Sequence, residues 1–224
     1  MRGPVATWAK AFLLASLGAL QSLACVHTAG WWAPPLALAV LVWMLRGASV
    51  RQAALWGLVF GTAWLGAAVW WLFISLHRYG GLPAWLAASA VALLALALSL
   101  YLAAACALWV ACRTGRPGLD ATSFAACWLL AEWARAVIFT GFPWAASGYT
   151  QIDGPLAAWA PWVGVYGMGA LVALTGAYLG LCLPSRDRHH GEMVKGWAAR
   201  WSGRLALGGA VALVWGLPAA LGPA

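Results

Sequence analysis

The chain has 224 residues, 64% of them hydrophobic and only 8% charged, with a formal net charge of +8. Soluble domains carry about a quarter charged residues, so this composition excludes a water-covered exterior, and lipid must cover most of the surface. The basic residues stand in pairs between apolar runs and do not gather on one face, which argues against a nucleic-acid partner.

Segments that cross a bilayer must be helices or closed barrels, because unpaired backbone groups are too costly in lipid. The apolar runs here lack the alternation of barrel strands. The hydrocarbon core is about 30 Å thick, so roughly 18 or more apolar residues make a spanning helix. The fold class expected is therefore all-α, a polytopic transmembrane bundle of about seven spans forming a single domain over residues 1–224. In chain order the spans are expected at about 5–25, 31–45, 53–75, 83–112, 121–139, 162–183 and 205–221. The second opens with Pro34 and Pro35, which a first helical turn tolerates. The fourth is long enough to tilt.

Lys and Arg accumulate on the cytoplasmic side of short loops. Seven crossings place eleven of the thirteen basic residues on the side of the amino terminus, among them Lys10, Arg46, Arg51, Arg113, Arg116 and Arg188, leaving only Arg78 and Arg135 near the other. The expectation is a cytoplasmic amino terminus and a periplasmic carboxyl terminus. Lys10, the apolar stretch to Leu23 and the small residues Ser22 and Ala24 also fit a cleavable signal peptide. Cleavage would leave six helices in the same orientation, so both readings stand.

Most of the eighteen tryptophans fall near span ends, for example Trp31/Trp32, Trp70/Trp71, Trp144 and Trp159/Trp162, as in an interfacial aromatic belt. Gly57, Gly61 and Gly66 suggest close helix approach. Cys25, Cys106, Cys112, Cys127 and Cys182 lie in or at the ends of apolar runs without metal-ligand spacing, and His189-His190 has no further ligand set, so no metal or other cofactor is expected.

The unusual residues lie in two segments of the expected outer side. One is Ser75-Leu76-His77-Arg78-Tyr79-Gly80-Gly81-Leu82-Pro83; the other runs from Glu132 through Thr150 and Gln151 to Pro161. Their Gly–Pro punctuation marks ordered turns, and irregular backbone at this depth survives only against protein or a watery cavity. Glu132 and Arg135 stand three apart and share a helix face. They read either as a polar contact for a headgroup or partner domain, or as an ion pair fixing the bundle. His77 reads as an interfacial hydrogen-bonding residue or, less readily, as a general base.

The stretches WWLFISLHRYGGLP and EWARAVIFTGFPWAASGYTQIDGPLAAWAPWVGVYGMG resemble the membrane domain of bacterial apolipoprotein N-acyltransferase, and the resemblance covers nearly the whole chain. It implies an inner-membrane enzyme that moves an acyl chain from a phospholipid to the α-amine of a diacylglyceryl-cysteine on an apolipoprotein. It also implies a ping-pong mechanism through a cysteine thioester, with a glutamate base and a lysine at the oxyanion. In the family those residues belong to a nitrilase-like domain after the seventh span. This sequence closes at Gly222-Pro223-Ala224, and no catalytic residue is carried over; Lys195 falls on the wrong face, and Glu132 belongs to the membrane motif. The expectation is a membrane half, from a truncated or a split enzyme, inactive by itself and working with a separate catalytic chain. By analogy its rim residues His77, Tyr79, Gly80, Gly81, Glu132, Arg135, Phe142, Pro143, Trp144, Tyr149 and Gln151 would contact lipid substrates or seat that domain. The alternatives are an inactive remnant or lipid-binding scaffold and, with little support from repeats or broken spans, a transporter.

Overall fold

Ser49 starts one helix by a reciprocal pair of bonds: its hydroxyl accepts from Gln52 N at 3.3 Å, and its own N–H donates to Gln52 Oε1 at 3.1 Å. That helix is α3, Val50–Ala68. Before it come α1, Pro4–Val26, and α2, Ala33–Leu45, and after it α4, the single turn Trp71–Ile74. Then follow α5, Ala84–Cys112, α6, Pro117–Val137, and α7, Ala160–Cys182. The computed structural model describes residues 4–184, 208–209 and 211–216. Among these there is no strand, so the protein is an all-α bundle. Five of its helices are long and apolar enough to cross a membrane, or six with the bent pair α3/α4 taken as one span.

Three expected boundaries move. The run 53–75 is not one straight helix: α3 ends at Ala68, and the chain bends by 52° before continuing through α4 into a wide π-helical turn, Ser75–Tyr79. No proline stands at the bend, so apolarity alone could not reveal it. The fifth helix begins at Pro117 instead of residue 121. Asp120 sits buried in its first turn because its carboxylate accepts from Thr114 N at 2.8 Å and Gly115 N at 3.0 Å. The sixth run breaks at Gly164, whose φ of 63° and ψ of −178° leave the helix. The expected seventh span, 205–221, lies mostly outside the described residues. Within it, Gly208 lies beside Tyr178, and Val214 O accepts from Trp159 Nε1 at 2.8 Å. That piece therefore runs antiparallel to α7.

Small residues set the spacing of the core. A Cβ at Gly57 would lie 2.9 Å from Leu102 O, and one at Gly61 would lie 2.8 Å from Leu102 Cδ1. The two glycines, one turn apart, let α3 lie against α5. Gly66 has only Ala95 Cβ, 3.6 Å away, and is not needed for that approach. Gly57→Val is expected to force α3 and α5 apart and lower stability by about 2 kcal/mol, the range for overpacking, read as a lower midpoint of thermal unfolding in detergent.

Through the middle runs a column of buried aromatic rings. Trp109 meets Phe124 at 5.4 Å between centroids, Phe124 meets Trp128 at 5.8 Å, and Trp128 stacks on Trp64 at 5.8 Å with 7° between planes. These three tryptophans are core, unlike Trp70, Trp144 and Trp162, which are exposed. At one end of the bundle Arg46 Nη1 donates to Leu183 O at 2.6 Å, and Arg113 Nη1 donates to Arg46 O at 2.6 Å. The ends of α2, α5 and α7 are thereby joined into one rim. The opposite rim, where α1 and α6 end and α7 begins, carries the unusual segments.

Candidate functional site

Beyond Val137 the chain has to leave α6 and return to the head of α7 across the rim. It does so through a segment held in uncommon backbone conformations. Phe139 (φ 54°), Thr140 (φ 69°) and Ala145 (φ 58°) all occupy the left-handed region without being glycine. Each costs on the order of 1–3 kcal/mol and persists only where surrounding contacts hold it.

Arg135 holds it. The side chain is 2% exposed, and its Nη1 donates to Phe142 O at 2.8 Å and to Trp144 O at 2.7 Å. Its own carbonyl accepts from Phe142 N at 2.8 Å. One helical turn earlier, Glu132 is fully buried and accepts from Ser147 N through Oε1 at 2.9 Å. Trp128 Nε1 reaches Ser147 Oγ at 3.4 Å. Gly169 of α7 closes this cluster, since a Cβ there would lie 2.8 Å from Glu132 Oε2. Glu132 and Arg135 thus share a face as their spacing requires, yet among the described residues they form no ion pair with each other. Each charge fastens a different stretch of the same segment: Arg135 the carbonyls of 142 and 144, Glu132 the amide of 147. Carbonyl and amide dipoles thus serve each charge in place of water.

The rest of the segment is tied to the first hairpin. Gln151, fully buried, donates through Nε2 to Trp31 O at 3.0 Å and to Thr150 Oγ1 at 2.9 Å. Thr28 Oγ1 donates to Asp153 Oδ2. Gln151 therefore faces inward and does not present its amide at the rim. Tyr149 is 46% exposed and Trp144 57%, with Pro143 also exposed and Phe142 half-buried.

In the other segment Tyr79 is 85% exposed. His77 stacks on Phe73 at 5.5 Å, and its Nδ1 donates to Leu82 O at 2.8 Å, which closes the turn and leaves Nε2 available. Gly80 N donates to Ser75 O at 2.9 Å, and Gly81 (φ 68°) has no neighbour that would restrict it. The two segments meet through Trp71 and Trp144, edge to face at 5.8 Å. His77, Tyr79, Trp144 and Tyr149 stand on the surface, while Glu132, Arg135 and Gln151 lie beneath it.

Sequence reasoning did not single out Ser147, Trp128, Gly169 or Phe139. Phe139 is 91% exposed at the tip of the strained turn. A signal existed for Ser147 alone: it is a polar residue between Ala146 and Gly148 at the level of a buried carboxylate.

Residues 17–178 match the family described as apolipoprotein N-acyltransferase N-terminal domain. An apolipoprotein N-acyltransferase of Verminephrobacter eiseniae is 49% identical over 79% of this chain and 33% of its own length. That of Ralstonia nicotianae is 43% identical over 80% of this chain and 34% of its own, and that of Pseudomonas putida 40% over 77% and 34%. The chain spans about a third of the length of these relatives. By the extent of these matches and its bundle of membrane-spanning helices, the chain belongs to the apolipoprotein N-acyltransferase family and corresponds to its N-terminal domain.

Proposed function

We propose that this chain is the membrane part of an apolipoprotein N-acyltransferase of the bacterial inner membrane, with its amino terminus in the cytoplasm and the strained rim facing the periplasm. Its task is to admit a phospholipid acyl donor and a diacylglyceryl apolipoprotein sideways from the bilayer and to present them to a nitrilase-like catalytic domain. The observation that carries this reading is the aromatic rim segment held by Arg135 and Glu132. Buried charges and left-handed backbone are spent on displaying Phe139, Pro143 and Trp144, and a plain interhelix connection has no use for that display. His77 Nε2, Tyr79 and Tyr149 supply exposed polar groups on the same rim, the mixture that lipid headgroups require. Gln151 takes a positioning role in this reading because it braces the segment from below. The whole bundle acts as one domain, and chemistry resides in the catalytic domain.

The test is a chimera carrying this chain followed by the remainder of the Verminephrobacter eiseniae relative. In cells depleted of their own enzyme it is expected to restore N-acylation of lipoproteins, read by mass spectrometry of their amino-terminal peptides. A chimera that inserts at normal levels and leaves lipoproteins unacylated would sink the reading and favour a lipid-binding remnant.

A further inference from the structure

A cavity of about 310 Å³ opens at the rim opposite the strained segment, between α1, the turn from α2 to α3, and the first turns of α3. Its lining joins two chemistries. Lys10, Thr7 and Gln52 bring polar groups, and Met44, Leu55 and Trp56 bring hydrocarbon and an aromatic face. Among the described residues no carboxylate lines it. Asp120, the acidic residue of this rim among the described residues, is already occupied by Thr114 and Gly115. Gln52 Oε1 is likewise taken by the Ser49 N–H at 3.1 Å, so its amide nitrogen is the group left to serve an occupant, and that nitrogen can only donate. An ammonium and an amide donor therefore seek an acceptor with negative charge, and the neighbouring apolar wall seeks hydrocarbon.

We infer that this cavity binds the phosphate headgroup of an anionic phospholipid, with Met44, Leu55 and Trp56 against the start of its acyl chains. The volume suits a headgroup and the first methylenes, at the small end of ligand pockets. The lipid bound here is a resident of the rim away from the proposed chemistry, so the inference stands apart from the acyl-transfer reading. Among the described residues, Arg46 and Arg113 do different work, committed to carbonyls joining helix ends, and Arg51 is exposed outside the cavity.

The purified full chain is titrated with phosphatidylglycerol or phosphatidylcholine and bound lipid is counted by native mass spectrometry. The parent is expected to prefer phosphatidylglycerol about fivefold, the factor one lysine confers near an anionic surface. Lys10→Gln is expected to remove the preference while phosphatidylcholine retention and helix content stay unchanged. Gln52→Leu is expected to reduce it, and Arg51→Gln to leave it intact. An undiminished preference in Lys10→Gln overturns the inference. An equal loss in Arg51→Gln also overturns it, by showing diffuse surface charge in place of a site. Displacement of the lipid by millimolar inorganic phosphate would assign the cavity to free phosphate and overturn the lipid assignment.

Discussion

Replacing Arg135 with methionine is expected to free residues 138–145 and to remove most N-acylation from the chimera, roughly a hundredfold, the scale on which small misplacements near a reacting centre act. The side chain makes two hydrogen bonds from one nitrogen, to Phe142 O at 2.8 Å and Trp144 O at 2.7 Å. Hydrogen bonds to charged groups contribute about 1.5–3 kcal/mol each, so the pair offsets about 3–6 kcal/mol of the strain held at Phe139, Thr140 and Ala145. Methionine fills similar volume but donates nothing, and the strained residues then relax toward ordinary φ values. The expected signs are faster proteolysis within 138–145 and loss of the edge-to-face contact between Trp144 and Trp71, with helix content unchanged. Arg135→Lys should recover only part of the activity, because an ammonium on a flexible stem holds two carbonyls less rigidly than a guanidinium does. Wild-type activity in the methionine variant, with residues 138–145 cleaved faster, would separate the segment from function.

How much of this was legible beforehand depends on what each residue reports. Apolar run length placed α1, α2 and α5 within two residues of their bounds, because in lipid the side chains of a span are its solvation. The bend after Ala68 was not legible: Val69 and Trp70 are as apolar as their neighbours, and a helix axis can turn without any change in hydropathy. The start of α6 was hidden for the opposite reason. Asp120 reads as a loop residue until its carboxylate is seen accepting backbone N–H groups of residues 114 and 115. At the rim, the spacing of Glu132 and Arg135 gave their common face but not their partners. Two opposite charges three residues apart suggest each other. Here each instead meets backbone dipoles of a segment up to fifteen residues further along, and no local pattern encodes that. Gln151 was misplaced by the same gap. Its polarity suggested the surface, whereas Trp31 O, 120 residues earlier, needed a donor indoors.

Glu132→Leu is expected to be nearly as damaging as the loss of Arg135, and Glu132→Gln close to harmless, because the two substitutions separate acceptor from charge. Ser147 N–H is buried, and its partner is Glu132 Oε1 at 2.9 Å. Leucine removes the acceptor and strands the amide, which costs about 1–3 kcal/mol in water-soluble proteins, with no lipid group able to substitute. Glutamine keeps an sp² oxygen at the same reach, and its amide nitrogen takes the place of Oε2 beside Gly169. Chimera activity and unfolding midpoint are therefore expected to follow the order parent, Gln, Leu, with the larger step at Leu. Gly169→Ala provides an independent check, since its Cβ would lie 2.5 Å from Ser147 Oγ and 2.8 Å from Glu132 Oε2 and so displace both partners of the Ser147–Glu132 contact. It should resemble the leucine variant even though Glu132 is intact. Equal failure of Gln and Leu would mean that the negative charge itself is required beneath the rim, and the role of Glu132 would then be electrostatic instead of a brace for Ser147.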